Sequence, residues 1–156
     1  KTYIIIINNM FSKAEAQQIK KDFWTEFANA YSRKWLLYNT KIKDVAFKFY
    51  IDNKKARVML DIEPKEDDKR KIYYEKIVSL KNIFLEEFVP DAIFVKDYTL
   101  ENGKNINRIY TELTGVSLYN KPSWEQVFNF FYEKMDAFER FFYEYEGYIK
   151  DLDINT

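Results

Sequence analysis

Residues 45–62 alternate in a pattern that leaves few folds open. Val45, Phe47, Phe49 and Ile51 occupy every second position, and after Asp52-Asn53-Lys54-Lys55 the set Ala56, Val58, Leu60 and Ile62 does so again. Two such runs flanking a short polar link predict a β-hairpin. With Asn53-Lys54 at its tip, the numbers of opposed residues add to 107, so Val45 faces Ile62, Phe47 faces Leu60 and Phe49 faces Val58. Both apolar sets then share one face, and a slip of one residue would turn one of them into water. An apolar sheet face needs a cover.

The rest of the chain offers covers. Ser12-Lys13-Ala14-Glu15 reads as a capping box, and Ile19, Phe23, Phe27 and Tyr31 recur every four residues, which predicts a helix to about Arg33. After Pro64, Asp67 or Asp68 can cap a second helix carrying Tyr73, Ile77, Leu80, Phe84 and Phe88, ending near Val89 because Pro90 disfavours a helical residue before it. Asn102-Gly103 predicts a second hairpin with a two-residue turn. In that register Asp97 faces Arg108, and Ala92, Phe94, Tyr98, Ile109 and Leu113 share a face. Gly115 ends it, and Ser123-Trp124-Glu125-Gln126 reads as another capping box. The helix that follows carries Trp124, Phe128, Phe131, Met135, Phe138, Phe142, Tyr145 and Ile149 at alternating spacings of four and three. The expected class is α+β in the order α-β-β-α-β-β-α, an antiparallel sheet of two hairpins packed with three helices. Residues 10–156 read as one domain, and residues 1–9 as an N-terminal extension that is either foreign to the protein or an extra strand.

Composition removes whole classes of chemistry. The 156 residues include no Cys and no His, so disulfides, thiol nucleophiles, Ser-His-Asp triads and Cys/His zinc sites are excluded. No stretch reaches the roughly 18 apolar residues of a membrane span, and the first residues lack the plan of a secretory signal. Cytoplasm is the default expectation, with no membrane partner. Charge balances at 25 Lys+Arg against 25 Asp+Glu, yet residues 1–60 hold 12 and 5 while residues 61–156 hold 13 and 20. The positive half suits nucleic acid or an acidic partner, or is a solvated hairpin compensated by the acidic half. The 14 Phe, 13 Tyr and 3 Trp are many for one core. Some are expected on a surface or in an interface, although A/T-rich codon usage would enrich the same residues.

Three groups of residues are candidates for function. On the polar face of the first hairpin the register sets Asp44 across from Glu63, with Asp61 two residues along and Lys65 completing an acid-x-Lys triplet. Magnesium-dependent nucleases hold a metal on such carboxylates and use the lysine near the scissile phosphate. Asp44, Asp61 and Glu63 are thus the metal candidates, and the same three with Lys65 the catalytic ones. Mg²⁺ is the cofactor only under that reading. Asp52-x-Lys54 and Asp67-x-Lys69 repeat the triplet, and three copies are what random placement of these acids and lysines would give. The same face displays Lys48, Tyr50 and Arg57, with Lys41 and Lys43 leading in, a pattern suited to sequence-independent nucleic-acid binding. The last helix, through Trp124, Phe128, Phe131, Phe138 and Phe142, offers a face for a homo-oligomer, or is simply buried in its own domain.

Asn102-Gly103-Lys104, Arg108-Ile109-Tyr110-Thr111-Glu112, Gly115-Val116 and Trp124, with Phe11-Ser12-Lys13 and Phe23-Trp24, resemble a small bacterial family known only as a domain of unknown function. The resemblance spans most of residues 10–150. It implies a stand-alone protein or C-terminal module, sometimes beside restriction-like nuclease parts, and brings no activity with it. The expectation is a non-catalytic bacterial interaction module that self-associates, with a Mg²⁺-dependent nuclease-like enzyme or a nucleic-acid-binding module as the alternatives.

Overall fold

Ser12 begins the first element as a reciprocal cap. Its hydroxyl accepts from the Glu15 backbone N–H at 3.1 Å, while the Glu15 carboxylate accepts from the Ser12 N–H at 3.0 Å, which satisfies two donors the helix would otherwise leave open. A computed structural model describes residues 11–151, and the expected extension over residues 1–9 lies outside them. The elements are α1 (Lys13–Ala30), β1 (Val45–Ile51), β2 (Lys55–Ile62), α2 (Asp67–Ser79), α3 (Lys81–Glu87), β3 (Ile93–Thr99), β4 (Asn105–Thr114) and α4 (Trp124–Lys150), the last preceded by a 3-10 turn at Lys121–Ser123. The strands form one sheet in the order β1-β2-β4-β3. The class is α+β, in the expected order.

The first hairpin has the register its alternation requires. The Asp52 N–H donates to the Lys55 carbonyl at 3.0 Å next to the tip, and the Glu63 N–H donates to the Asp44 carbonyl at 2.7 Å at the open end. Both pairs add to 107. Asp52 also fixes the tip, since its carboxylate accepts from the Lys54 and Lys55 N–H groups at 2.8 and 2.9 Å.

The second hairpin departs from expectation. Gly103 donates to the Leu100 carbonyl, and Leu100 in turn donates to the Lys104 carbonyl, so the loop has three residues, with Gly103 in the left-handed region at φ +86°. Asn-Gly serves a turn followed by a left-handed glycine as well as it serves a two-residue turn, and local sequence does not choose between them. The register then steps again at a bulge between Val95 and Tyr98. Val95 faces Arg108, Phe94 faces Ile109 and Tyr98 faces Ile106. An odd slip moves side chains to the other face, so Phe94 and Tyr98 do not share one, and the expected pairing of Asp97 with Arg108 gives way to a hydrogen bond from Asn105 to Asp97.

Two further expectations are corrected. The helix expected from Asp67 to Val89 is two helices, broken at Leu80, whose N–H reaches back to the Ile77 carbonyl. Ser79, beside the break, turns its hydroxyl to the Lys76 carbonyl and the Tyr148 hydroxyl, the local competition by which serine weakens helices. Ser123 does not serve as the reciprocal cap of α4. Its hydroxyl engages Ser117 and Asn120 and ties down the preceding loop.

The chain divides into two compact units. One holds residues 11–35, 49–57 and 112–132, and its core is aromatic. Phe131, fully buried, lies within 6.1 Å of the rings of Phe23, Trp24, Phe27 and Phe49. The other holds residues 36–48, 58–111 and 133–151. There Phe84 meets Phe94, Phe138 and Phe141 edge-on, Phe47 packs on Phe138 and Phe142, and Val58, Leu60 and Ile62 are buried. Burial of each such side chain contributes roughly 1.5–3 kcal/mol. Glu139 is also buried and accepts from the Leu36 N–H at 2.7 Å.

Candidate functional site

Strand alternation turns Lys48, Asp61 and Glu63 away from the apolar face of the first hairpin, and the neighbouring strand decides what they meet. Because β4 lies beside β2, Arg108 comes opposite Asp61, and its Nε and Nη2 donate to the two carboxylate oxygens at 2.7 and 2.8 Å. Asp61 is fully buried, and the Tyr98 ring lies 4.1 Å from the guanidinium carbon. Lys48 Nζ is 3.1 Å from Asp61 and 2.7 Å from Glu63. Lys104 approaches Glu63 from the second hairpin's turn at 3.6 Å. Burial works to lower the Lys48 pKa, but the hydrogen bond to Glu63 and the charge of Asp61 outweigh it and hold the ammonium above the ordinary lysine value. Arg108 is raised in the same way, burial being outweighed by Asp61.

The candidate residues therefore separate. Asp61 and Glu63 are neighbours, both held by cations. Asp44 touches Glu63 through its backbone carbonyl, and its own exposed residue adopts a left-handed φ of +63°. Among the described residues no group of three or more acidic side chains is gathered to hold a metal ion. The basic candidates are engaged too. Arg57 Nε donates to Glu112 at 2.6 Å, and the Tyr50 hydroxyl donates to Asp52 at 2.8 Å.

Lys65 and Asp44 meet in a different place, a cleft of about 280 Å³ between the open end of the first hairpin and the start of α2. Lys43 and Asp44 line one side, and Pro64, Lys65 and Glu66 the connection to the helix. Lys69 and Tyr73, one turn apart on the same face of α2, complete it. Arg70 donates to the Pro64 carbonyl at 3.1 Å and fixes that connection. Pro64 and Tyr73 are buried and the three lysines are exposed. Burial raises the Tyr73 phenol above its ordinary pKa.

On the other unit an aromatic surface surrounds a guanidinium. Arg33 lies 4.2 Å from the Trp35 ring centre and 5.5 Å from that of Tyr132. Tyr31 stacks on Tyr132 at 4.6 Å and donates to Asn129 at 2.7 Å. Tyr132 is 37% exposed, while the stripe of α4 expected to face a partner, Trp124, Phe128, Phe131, Phe138 and Phe142, is buried within the units. Sequence reading missed this surface, although Tyr31, Arg33 and Trp35 alternate in one short stretch. It also missed Lys69 and Tyr73, whose spacing on one helix face was a usable signal.

A family model described as Domain of unknown function (DUF4268) matches residues 19–146, from α1 to the last turns of α4. The chain belongs to that family. The match takes in every residue of the DUF4268 chain named above for the cleft, the ion-pair cluster and the aromatic surface. No curated protein and no solved structure matches it. Among its described residues no helix is long and apolar enough to cross a membrane.

Proposed function

We propose that this DUF4268 chain is a non-catalytic interaction module that self-associates through Tyr31, Arg33, Trp35 and Tyr132. The observation that carries the reading is the partly exposed cluster of Trp, Tyr and Arg continuous with the aromatic core, the residue types that dominate binding energy at protein interfaces. A rigid ring already supported from below loses little freedom on docking. The formal net charge of zero removes long-range repulsion between copies, and the positive first 60 residues complement the negative remainder. The non-catalytic part is supported by the neutralisation of Asp61 and Glu63 by Arg108, Lys48 and Lys104.

Sedimentation over a wide concentration range tests the association. The expected outcome is a concentration-dependent dimer that Trp35→Ala with Tyr132→Ala shifts to monomer. A strict monomer at high concentration refutes it. Titration with Mn²⁺ tests the rest. Saturable binding that Glu63→Ala abolishes would overturn the non-catalytic reading and return the acids to metal chemistry.

A further inference from the structure

We infer that the cleft between the first hairpin and α2 binds a phosphomonoester. Lys43, Lys65 and Lys69 all line it, and none has an ion-pair partner among the described residues. Lysines in the same 280 Å³ space as Asp44 and Glu66 would pair with them if geometry allowed, so the charges stand around the cleft and leave its middle for a ligand. Most of the groups lining it are donors: three ammoniums and the phenol of Tyr73, a residue only 8% exposed. The first turn of the 13-residue α2 has no side-chain cap, since its N-cap, Glu66, makes no such hydrogen bond, and it carries Asp67, paired with Arg70, and Asp68. Together the ammoniums and the phenol favour an anion with several acceptor oxygens and two negative charges over a carboxylate. Asp44 and Glu66 oppose the anion and supply acceptors for hydroxyl groups on the ligand's organic part. The volume suits a small phosphorylated metabolite or the terminal phosphate of a nucleic-acid strand, not an aromatic drug-sized molecule. The site shares no residue with the aromatic surface and does not rest on it.

Calorimetric titration of the full chain at neutral pH tests this, with inorganic phosphate and glycerol phosphate as probes at constant ionic strength. Saturable binding is expected, weakened about tenfold or more in Lys65→Ala with Lys69→Ala. All these side chains are exposed, and circular dichroism checks that the variant stays folded. Asp44→Asn should instead tighten phosphate binding several-fold, since it removes a facing negative charge; a purely structural role for the cleft would not produce that sign. A third arm compares a short oligonucleotide with and without a 5′-phosphate. Binding only of the phosphorylated strand, stronger than glycerol phosphate, assigns the source to nucleic-acid ends, and equal or weaker binding assigns it to small molecules. Absence of saturable binding to the wild type, an unchanged affinity in the double variant, or equal binding of the unphosphorylated strand would overturn the inference.

Discussion

Removing Asp61 should cost more than removing Arg108, although the two form one ion pair. Both are buried, and breaking such a pair typically costs about 3–5 kcal/mol because the remaining charge is left uncompensated. Here the remaining charges differ in what they have left. Without Arg108, Asp61 keeps Lys48 at 3.1 Å. Without Asp61, the guanidinium, whose side chain is 9% exposed, keeps only Tyr98 among the partners described for it, through its ring and its hydroxyl, the ring contact being worth roughly 2 kcal/mol when desolvated. Lys48 meanwhile retains Glu63 at 2.7 Å. The expected costs are about 3–5 kcal/mol for Asp61→Ala and about half that for Arg108→Met. The double variant should cost less than the two singles together by roughly 1–3 kcal/mol, the coupling of residues in contact. At this chain length each kcal/mol lowers Tm by about 2–4 °C. Urea unfolding followed by circular dichroism measures all three. Additivity within about 0.5 kcal/mol, or an Arg108→Met cost equal to that of Asp61→Ala, would refute the reasoning.

Three other outcomes are expected. Phe131→Ala, at the centre of five ring contacts, should destabilise by about 3–5 kcal/mol in denaturant unfolding. Gly103→Ala should cost about 1–2 kcal/mol in the same assay, entirely through the left-handed φ, since no atom lies within 4 Å of the added Cβ. Asp52 should make stability fall in acid. Burial works to raise its pKa, but the N–H groups of Lys54 and Lys55 and the Tyr50 hydroxyl outweigh it and hold the carboxyl below its ordinary aspartate value. The unfolded chain therefore takes up the proton first, so the contribution is complete above the unfolded value and lost as pH falls through the folded one. Unfolding curves for wild type and Asp52→Asn should converge as the pH falls through the lowered folded-state value.

Much of this architecture was legible in one dimension. The first hairpin's register followed from period-two alternation and a two-residue link, both local, and the Ser12–Glu15 cap follows from four adjacent residues. The stripe of α4 announced a buried face, although not whether its own chain or a partner would bury it. Contacts with Phe23, Phe27, Phe47 and Phe84 answer that.

What the tertiary structure alone decided are the choices among locally equivalent options. Asn-Gly fits two turns, and the pairing of β3 on β4, with Thr99 across from Asn105 and Val95 across from Arg108, separates them. With 25 acids and 25 bases, nearly any pairing can be written from sequence; the strand order β1-β2-β4-β3 selects Asp61–Arg108 and Arg57–Glu112 by bringing β4 beside β2. Folding also joined Asp44 to Glu63 through a backbone hydrogen bond and set Asp44 and Lys65 around one cleft with Lys43, Lys69 and Tyr73. Periodicity and turn chemistry act over a few residues and are written along the chain, whereas a charge's partner depends on which distant segment folds next to it.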